Sequence, residues 1–311
     1  LARRRKVCAI TIGASTLLSS FATTAREFLV DKPITAVEPD IAISDLNISY
    51  LDNETIVGTW NMAGNLLPKM PQVEEIYRNE RLDFFTLQEV RKKDIKVLAE
   101  FLKRSGAESY IYFVESDKLL DGQGNLIISR QPALGEIDYQ TINSRSEVEN
   151  TYTSVKQLFL SATNGGVNDI PDRIASSYEE KRRNFRFRAK IMDKNGKISI
   201  ISIGTGHVSP RRDDGIHDDQ IDKVLSFAAS PTDDEIKPTT IFCLDANEQD
   251  TQLALRAVEY NLLTVILPSN SSPSGGKIDT CVYRADKTLG FGVAKVLPEL
   301  TDHHPVVVKF G

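Results

Sequence analysis

The sequence is poor in cysteine, tryptophan and histidine, with three, one and four residues in 311. Three cysteines cannot build the disulfide framework of a small secreted scaffold. No Cys/His cluster has the spacing of a structural zinc site. No apolar run reaches the roughly 18 residues of a membrane-crossing helix. Neither charge sign dominates: 38 Lys+Arg stand against 43 Asp+Glu, a net −5. That balance excludes a protein that grips nucleic acid through an overall basic field, but not a local phosphate site. What is present, 41% hydrophobic and 26% charged residues with 18 Gly and 13 Pro, describes an ordinary globular chain. It is neither a coiled coil, a collagen nor a disordered chain, and it is long enough for one large domain or two smaller ones.

Residues 1–25 begin with Arg3, Arg4, Arg5 and Lys6 and continue as an apolar, small-residue stretch from Val7 to Phe21. This is the pattern of a secretory signal cleaved after Ala22 or Ala25, and it predicts a secreted or periplasmic protein. A membrane anchor fits less well, because the stretch is short and rich in Ser and Thr. Removing four cations and no acids leaves a chain more acidic than −5. Cys243 and Cys281 then remain, either bridged or as two buried thiols on neighbouring strands. Residues 26–54 read as an extended lead-in.

Beyond it, short β-rich runs are separated by helical segments. Strands are predicted at 55–62, 83–90, 109–116, 124–130, 184–193, 197–207, 239–247, 261–267, 277–284 and 305–310. Helices are predicted at 71–81, with Pro71 near the start, and at 93–104, 217–229 and 251–259. The polar stretch 140–184, broken by Gly165, Gly166 and Pro171, reads as an insertion with a candidate helix at 148–160. Many strands with interspersed helices, without strict βαβ alternation or an internal repeat, predict an α/β sandwich: one domain over 55–311, two packed sheets with helices outside.

Chemistry-bearing residues fall at the strand ends: Trp60-Asn61, Gln88-Glu89, Thr205-Gly206-His207, Asp245-Ala246-Asn247, Asp279, and Thr301-Asp302-His303-His304-Pro305. Each alone has a bland reading. Asn after Trp suits a turn, Asp-x-Asn suits a helix cap, and a lone histidine is usually structural. His303 and His304, adjacent on an extended chain, face opposite ways and do not serve one site together. Their concentration at strand ends is what points to a shared centre. The run EEKRRNFRFRAK at 179–190 is the concentrated basic patch, and alternation puts Arg186 and Arg188 on one strand face. Lys181, Arg182 and Arg183 read equally well as a solvated edge. Asp213, Asp214, His217, Asp218 and Asp219 form an acidic cluster that suits a cation or, more simply, a helix N-terminus.

Taken in order, Trp60-Asn61, Gln88-Glu89, Ser129-Arg130, Thr205-Gly206-His207, Asp245-Ala246-Asn247, Ile278-Asp279 and Asp302-His303-His304-Pro305-Val306 resemble the endonuclease/exonuclease/phosphatase (DNase-I-like) superfamily. Leu244 and Thr301 stand where that family has Gly and Ser. The stretches TWNMAGN, SYIYF, GNLIISRQ and LPSNSSPSGGKIDTCVYR are also similar to the catalytic nuclease subunit of the cytolethal distending toxins. Against that subunit, the stretch between Glu89 and Tyr110 looks shorter and 140–184 longer. The resemblance implies a four-layer α/β sandwich of two mostly antiparallel sheets flanked by helices. It further implies a divalent-metal-dependent phosphodiesterase, a DNA endonuclease or alternatively a phosphoinositide phosphatase or sphingomyelinase-type enzyme. A toxin-like chain would be a monomeric catalytic subunit needing delivery partners.

Hydrolysis of a phosphodiester calls for a cation on the phosphoryl oxygens, a base for water and donors on the developing charge. Glu89, Asp302 and the amide oxygen of Asn61 are the expected hard-oxygen set for Mg²⁺, with Mn²⁺ or Ca²⁺ as alternatives. The resemblance places His303 on the scissile phosphate, as base or charge stabiliser, with Asp279 fixing its tautomer. It gives Asp245 the attacking water or the leaving group, has Asn247 donate to a phosphate oxygen, and makes His207 the second imidazole, with Glu108 as its expected partner. Arg188, with Arg186 beside it, is the expected phosphate-binding arginine.

Overall fold

Apolar runs that are buried along their whole length organise the molecule. Every residue of β1 (Thr55–Asn61) and of β8 (Thr239–Asp245) is buried, the state of a central strand covered on both faces. The computed structural model describes residues 54–106, 109–116, 122–142, 182–192, 198–209, 216–231, 239–273, 275–284, 291–298 and 303–310. The signal pattern, nearly all of the lead-in, Glu108 and most of the insertion with its candidate helix lie outside them.

Between and after those two strands come α1 (Leu66–Asn79), β2 (Phe84–Arg91), α2 (Lys92–Arg104), β3 (Tyr110–Glu115), β4 (Gln123–Ser129) and β5 (Leu134–Ile142). They are followed by β6 (Arg182–Met192), β7 (Ile198–His207), α3 (Ile216–Ala229), α4 (Asp250–Ala257), β9 (Leu263–Thr264), β10 (Asp279–Tyr283), β11 (Gly292–Val296) and β12 (Val306–Phe310). The strands form two six-stranded sheets, ordered β11-β12-β1-β2-β4-β3 and β5-β6-β7-β8-β10-β9. Each holds one parallel pair, β1–β2 or β7–β8, among antiparallel neighbours.

Alternation sorts the side chains into layers. Between the sheets, Phe84, Tyr112, Ile127 and Val308 meet Phe185, Phe187, Ile203 and Ile241, with the rings of Tyr112 and Phe187 4.5 Å apart. Behind the first sheet, Trp60, Leu87 and Leu126 pack on Val73, Ile76, Leu98 and Leu102 of α1 and α2. Behind the second, Phe242, Leu244 and Val282 pack on Ile221, Val224 and Leu225 of α3 and Leu253 of α4. The result is the predicted four-layer sandwich. Cys243 and Cys281 are directly opposed in the β8–β10 register and form a disulfide, their Cα atoms 3.9 Å apart.

Four elements differ from the sequence reading. Helix α1 begins at Leu66 and carries Pro71 inside it; Pro68 falls in the first turn, where no N–H is needed, and Pro71 forfeits one helical bond. Strands β5 and β11 pair at the sheet edges without a clean alternating or continuous apolar run to announce them. The expected strand 261–267 shrinks to the two residues of β9.

Candidate active site

Register brings the singled-out residues to one end of the sandwich. In the second sheet, parallel pairing sets His207 beside Asp245 at the ends of β7 and β8, and antiparallel pairing sets Asp279, the first residue of β10, beside Asp245. In the first sheet, Asn61 pairs with Gln88 at the ends of β1 and β2, and β12 runs antiparallel to β1, so His303 just before it arrives at the same end. Gln88 joins the two sheets under the site, its Nε2 donating to Thr205 Oγ1 at 2.9 Å and to Thr59 Oγ1 at 3.1 Å.

Asp245 is the hub. Its Oδ2 accepts from Asn61 Nδ2 at 2.8 Å, and its Oδ1 accepts from the backbone N–H of Asn247 at 2.9 Å. His207 Nε2 lies 3.6 Å and His303 Nε2 4.0 Å from the same Oδ2. His303 Nδ1 is 2.8 Å from Asp279 Oδ2, so the ring proton sits on Nδ1 and Nε2 faces Asp245. Trp60 Nε1 donates to the His303 carbonyl at 2.9 Å, fixing the segment ahead of β12. Glu89 Oε1 is 3.4 Å from both Asn61 Nδ2 and His207 Nε2. Glu89 and His303 reach solvent, with 28% and 15% of their side chains exposed, whereas Asp245 and Asp279 are sealed.

Two of these residues hold left-handed backbone. Glu89 has φ 53° and Asn247 φ 48°. Asn tolerates this region, but for Glu it costs on the order of 1–2 kcal/mol. In Glu89 it coincides with a register shift between Leu87 and Val90 in the β2–β4 pairing, a bulge that re-aims one side chain.

The centre is charged and dry. Burial, reinforced by the Asp279 carboxylate, pushes Asp245 up to about 7. Burial likewise raises Glu89, with the Asp245 charge adding to it. His207 is driven well below the ordinary histidine range by burial, then by the positive charges of Arg182 and His303. Arg182 Nη1 contacts His207 Nδ1 and its Nε donates to Ser209 Oγ at 3.1 Å, so His207 stays neutral with its proton on Nε2.

Of the expected site residues, His303, His207, Asp245, Asn247, Asp279, Glu89 and Asn61 come together; Asp302 lies outside the described residues. Asn61 differs from expectation in one respect. Its Oδ1 accepts the Ala63 N–H at 2.8 Å, and its amide N–H₂ is turned to the carboxylates, donating to Asp245. Arg186 is not in the centre: its guanidinium binds Asp138 Oδ2 at 2.8 Å and the carbonyls of Phe227 and Ser230 at 2.5 and 2.8 Å, anchoring the end of α3. Arg188 pairs with Leu134 and Ser202, about 20 Å along the strand from Arg182 at ~3.3 Å per residue. Arg182, on the same strand face, is the arginine that lies against His207.

The two-sheet sandwich is similar in fold to solved structures of endonuclease/exonuclease/phosphatase proteins. Among solved structures the chain is similar to an endonuclease/exonuclease/phosphatase from Beutenbergia cavernae, at 17% identity over 83% of this chain and 71% of that one, with a TM-score of 0.54. A mannosyl-6-phosphatase of Bacteroides thetaiotaomicron is similar at 13% identity, 83% and 99% coverage and a TM-score of 0.56. D. rerio TDP2 complexed with single strand DNA product is similar at 14% identity, 84% and 100% coverage and a TM-score of 0.53. No protein-family model and no curated protein matches the chain. The likeness is one of fold.

Proposed function

We propose that this protein is a secreted, Mg²⁺-dependent phosphodiesterase, a DNase-I-like endonuclease acting on DNA. The observation that carries the reading is the convergence on Asp245 of two imidazoles, one backed by Asp279 and one by Arg182. Asp245, with a pKa near the working pH, accepts the proton of the attacking water. The water oxygen forms the new bond to phosphorus as the bond to the leaving oxygen breaks. His303, cationic with Asp279 behind it, donates from Nε2 to a phosphoryl oxygen, and neutral His207 donates from its own Nε2. Asn247 keeps Asp245 aligned through its backbone N–H.

The donor set fits a hard divalent cation. Glu89 and Asp245 are acids whose pKa values are raised by burial first and by a neighbouring carboxylate second, and one carboxylate oxygen of Asp245 and one of Asp279 lie within 4.8 Å of each other. Glu89, the exposed acid, would hold Mg²⁺, which supplies neutralisation of the phosphoryl oxygens. The neighbours' names extend from a DNA complex to a sugar phosphatase, and the net −5 favours keeping a phosphomonoester or lipid head group as the second reading. Toxin-like action would require separate delivery subunits.

Purified protein is expected to nick supercoiled plasmid with Mg²⁺, to stop in EDTA, and to lose at least 100-fold in rate on His303→Ala, the usual size of a lost transition-state donor. Plasmid left intact while phosphate or phosphocholine is released from lipid would replace the DNA reading with the second one. Full plasmid cleavage by His303→Ala would sink the mechanism.

A further inference from the structure

The start of α3 holds a second cluster that the phosphate chemistry does not use. His217 is 2% exposed. Its Nδ1 lies 2.8 Å from the Ser209 carbonyl oxygen, an acceptor only, so Nδ1 carries a ring hydrogen and Nε2 is the nitrogen left to face a ligand. That Nε2 is buried without a hydrogen-bond partner. Beside it stands Glu248, its side chain 2% exposed, with an Oε2 that is also buried and makes no hydrogen bond. Asp218, its side chain 46% exposed, completes the group. One ring nitrogen of His217 and one carboxylate oxygen from each acid lie within 4.8 Å of one another.

Ion pairing does not account for this arrangement. Arg256 is the cation present: its Nη2 is 2.5 Å from Asp218 Oδ1, its Nη1 3.7 Å from Asp222 Oδ1, and its Nε 3.5 Å from Glu248 Oε2. Among the described residues one guanidinium faces these three carboxylates, one of them on a sealed side chain. Lys223 is committed to Asp219 at 2.6 Å. A buried ring nitrogen and a buried carboxylate oxygen left without a hydrogen bond are each costly, and a divalent cation satisfies both at once.

We propose that His217, Asp218 and Glu248 form a metal site of the imidazole–carboxylate kind, suited to Zn²⁺ and separate from the phosphate centre. The donor set decides the ion class. A neutral imidazole disfavours Mg²⁺ and Ca²⁺, whereas one nitrogen and two carboxylates with a fourth position for water match Zn²⁺. The Nδ1–H bonded to a carbonyl is the support that ligating histidines ordinarily have. Tetrahedral ligands stand about 3.3 Å apart, so ligand atoms that lie within 4.8 Å of one another draw closer on binding. The placement gives the ion a consequence. Ser209 follows His207 by two residues, and Glu248 follows Asn247 directly. A bound ion therefore clasps the connections that leave β7 and β8 just past their site residues.

The proposal stands independently of the phosphodiesterase reading, and its test keeps the two apart. Tag-free full-length protein carrying Glu89→Gln and His303→Ala, which together remove the exposed acid and the metal-capable imidazole of the phosphate centre, is titrated with Zn²⁺ by calorimetry. One ion is expected per chain, and adding Asp218→Asn or His217→Gln is expected to weaken binding at least tenfold. Co²⁺ loaded into the same protein is expected to give a visible ligand-field band that His217→Gln removes. Asp218→Asn, at a half-exposed position, guards against a folding artefact in the histidine variant. The absence of Zn²⁺ binding in the Glu89→Gln/His303→Ala protein, or an affinity unchanged by both further substitutions, overturns the proposal.

Discussion

Glu89 occupies backbone that glutamate adopts only under constraint, at φ 53° in a strand bulge, and its carboxylate is desolvated beside another acid. Both features oppose folding and are retained where the chemistry is read. Glu89→Asn keeps a side chain that tolerates the left-handed region and removes the charge. It is expected to raise unfolding stability by about 1 kcal/mol while abolishing metal-dependent hydrolysis, checked by urea denaturation alongside the plasmid assay. Asp83 offers a second test at this scale. It accepts the Ile56 N–H at 2.9 Å, and burial raises it from 3.8 to about 6 against the pull of that hydrogen bond and of Arg130. A folded pKa above the unfolded one favours the protonated form, so this contribution is fully present below pH 3.8 and is lost as pH rises through about 6. At about 1.4 kcal/mol per unit, the wild type loses about 3 kcal/mol more than Asp83→Asn between pH 3.5 and 7; parallel pH dependences would refute the assignment. Sequence could name Glu89, His207, Asp245, Asp279 and His303 because each sits at a strand end, and strand ends are visible as the edge of an apolar run. It could not show the amide orientation of Asn61 or that Arg182 lies against His207, because both depend on neighbours far apart in the chain.

At the scale of elements, the strands that could be read are those buried on both faces, β1 and β8 above all. The two that could not, β5 and β11, are edge strands whose partners supply their order. Alternation weakens when one side of a strand has no neighbour to pack against, and propensity then says little. Helix α1 was misplaced because prolines normally mark a start, whereas the burial of Leu66 and Val73 holds two prolines inside one helix. The β8–β10 pair carries both the site and the disulfide, with Asp245 opposite Asp279 and Cys243 opposite Cys281. The bridge closes a separation of 38 residues, which corresponds to about 3–4 kcal/mol of unfolded-state entropy. The double variant Cys243→Ala/Cys281→Ala is expected to lose that stability in denaturant unfolding. Its kcat at low temperature should change little, because the strand ladder still holds the two aspartates in register. An activity loss without a stability loss would assign the bridge to the site instead.

Across the whole molecule, the two sheets repeat one arrangement: an edge hairpin, a central parallel pair, then two antiparallel strands. The sequence shows no matching repeat. The common plan therefore lies in backbone register, and it lets each sheet deliver residues to the same end. The site so formed sits in a chain of net −5, which repels a polyanion at long range. On the proposed DNA reading attraction is local, from two phosphate contacts, at Arg182 and at His303, beside the divalent cation. Counterion release scales with the number of phosphates neutralised, at about 0.9 per contact in the log–log slope. Two such contacts predict that the KM for plasmid rises with added monovalent salt with a slope of about 2, against slopes of 6 or more for broadly basic DNA binders. Arg182→Ala is expected to lower that slope by about 1 as well as to raise KM. Steady-state nicking at fixed free Mg²⁺ over a range of NaCl measures both. A steep slope that Arg182→Ala leaves untouched would place the DNA contacts elsewhere on the surface, and a flat one for plasmid with rapid turnover of a small phosphate ester would move the substrate away from nucleic acid.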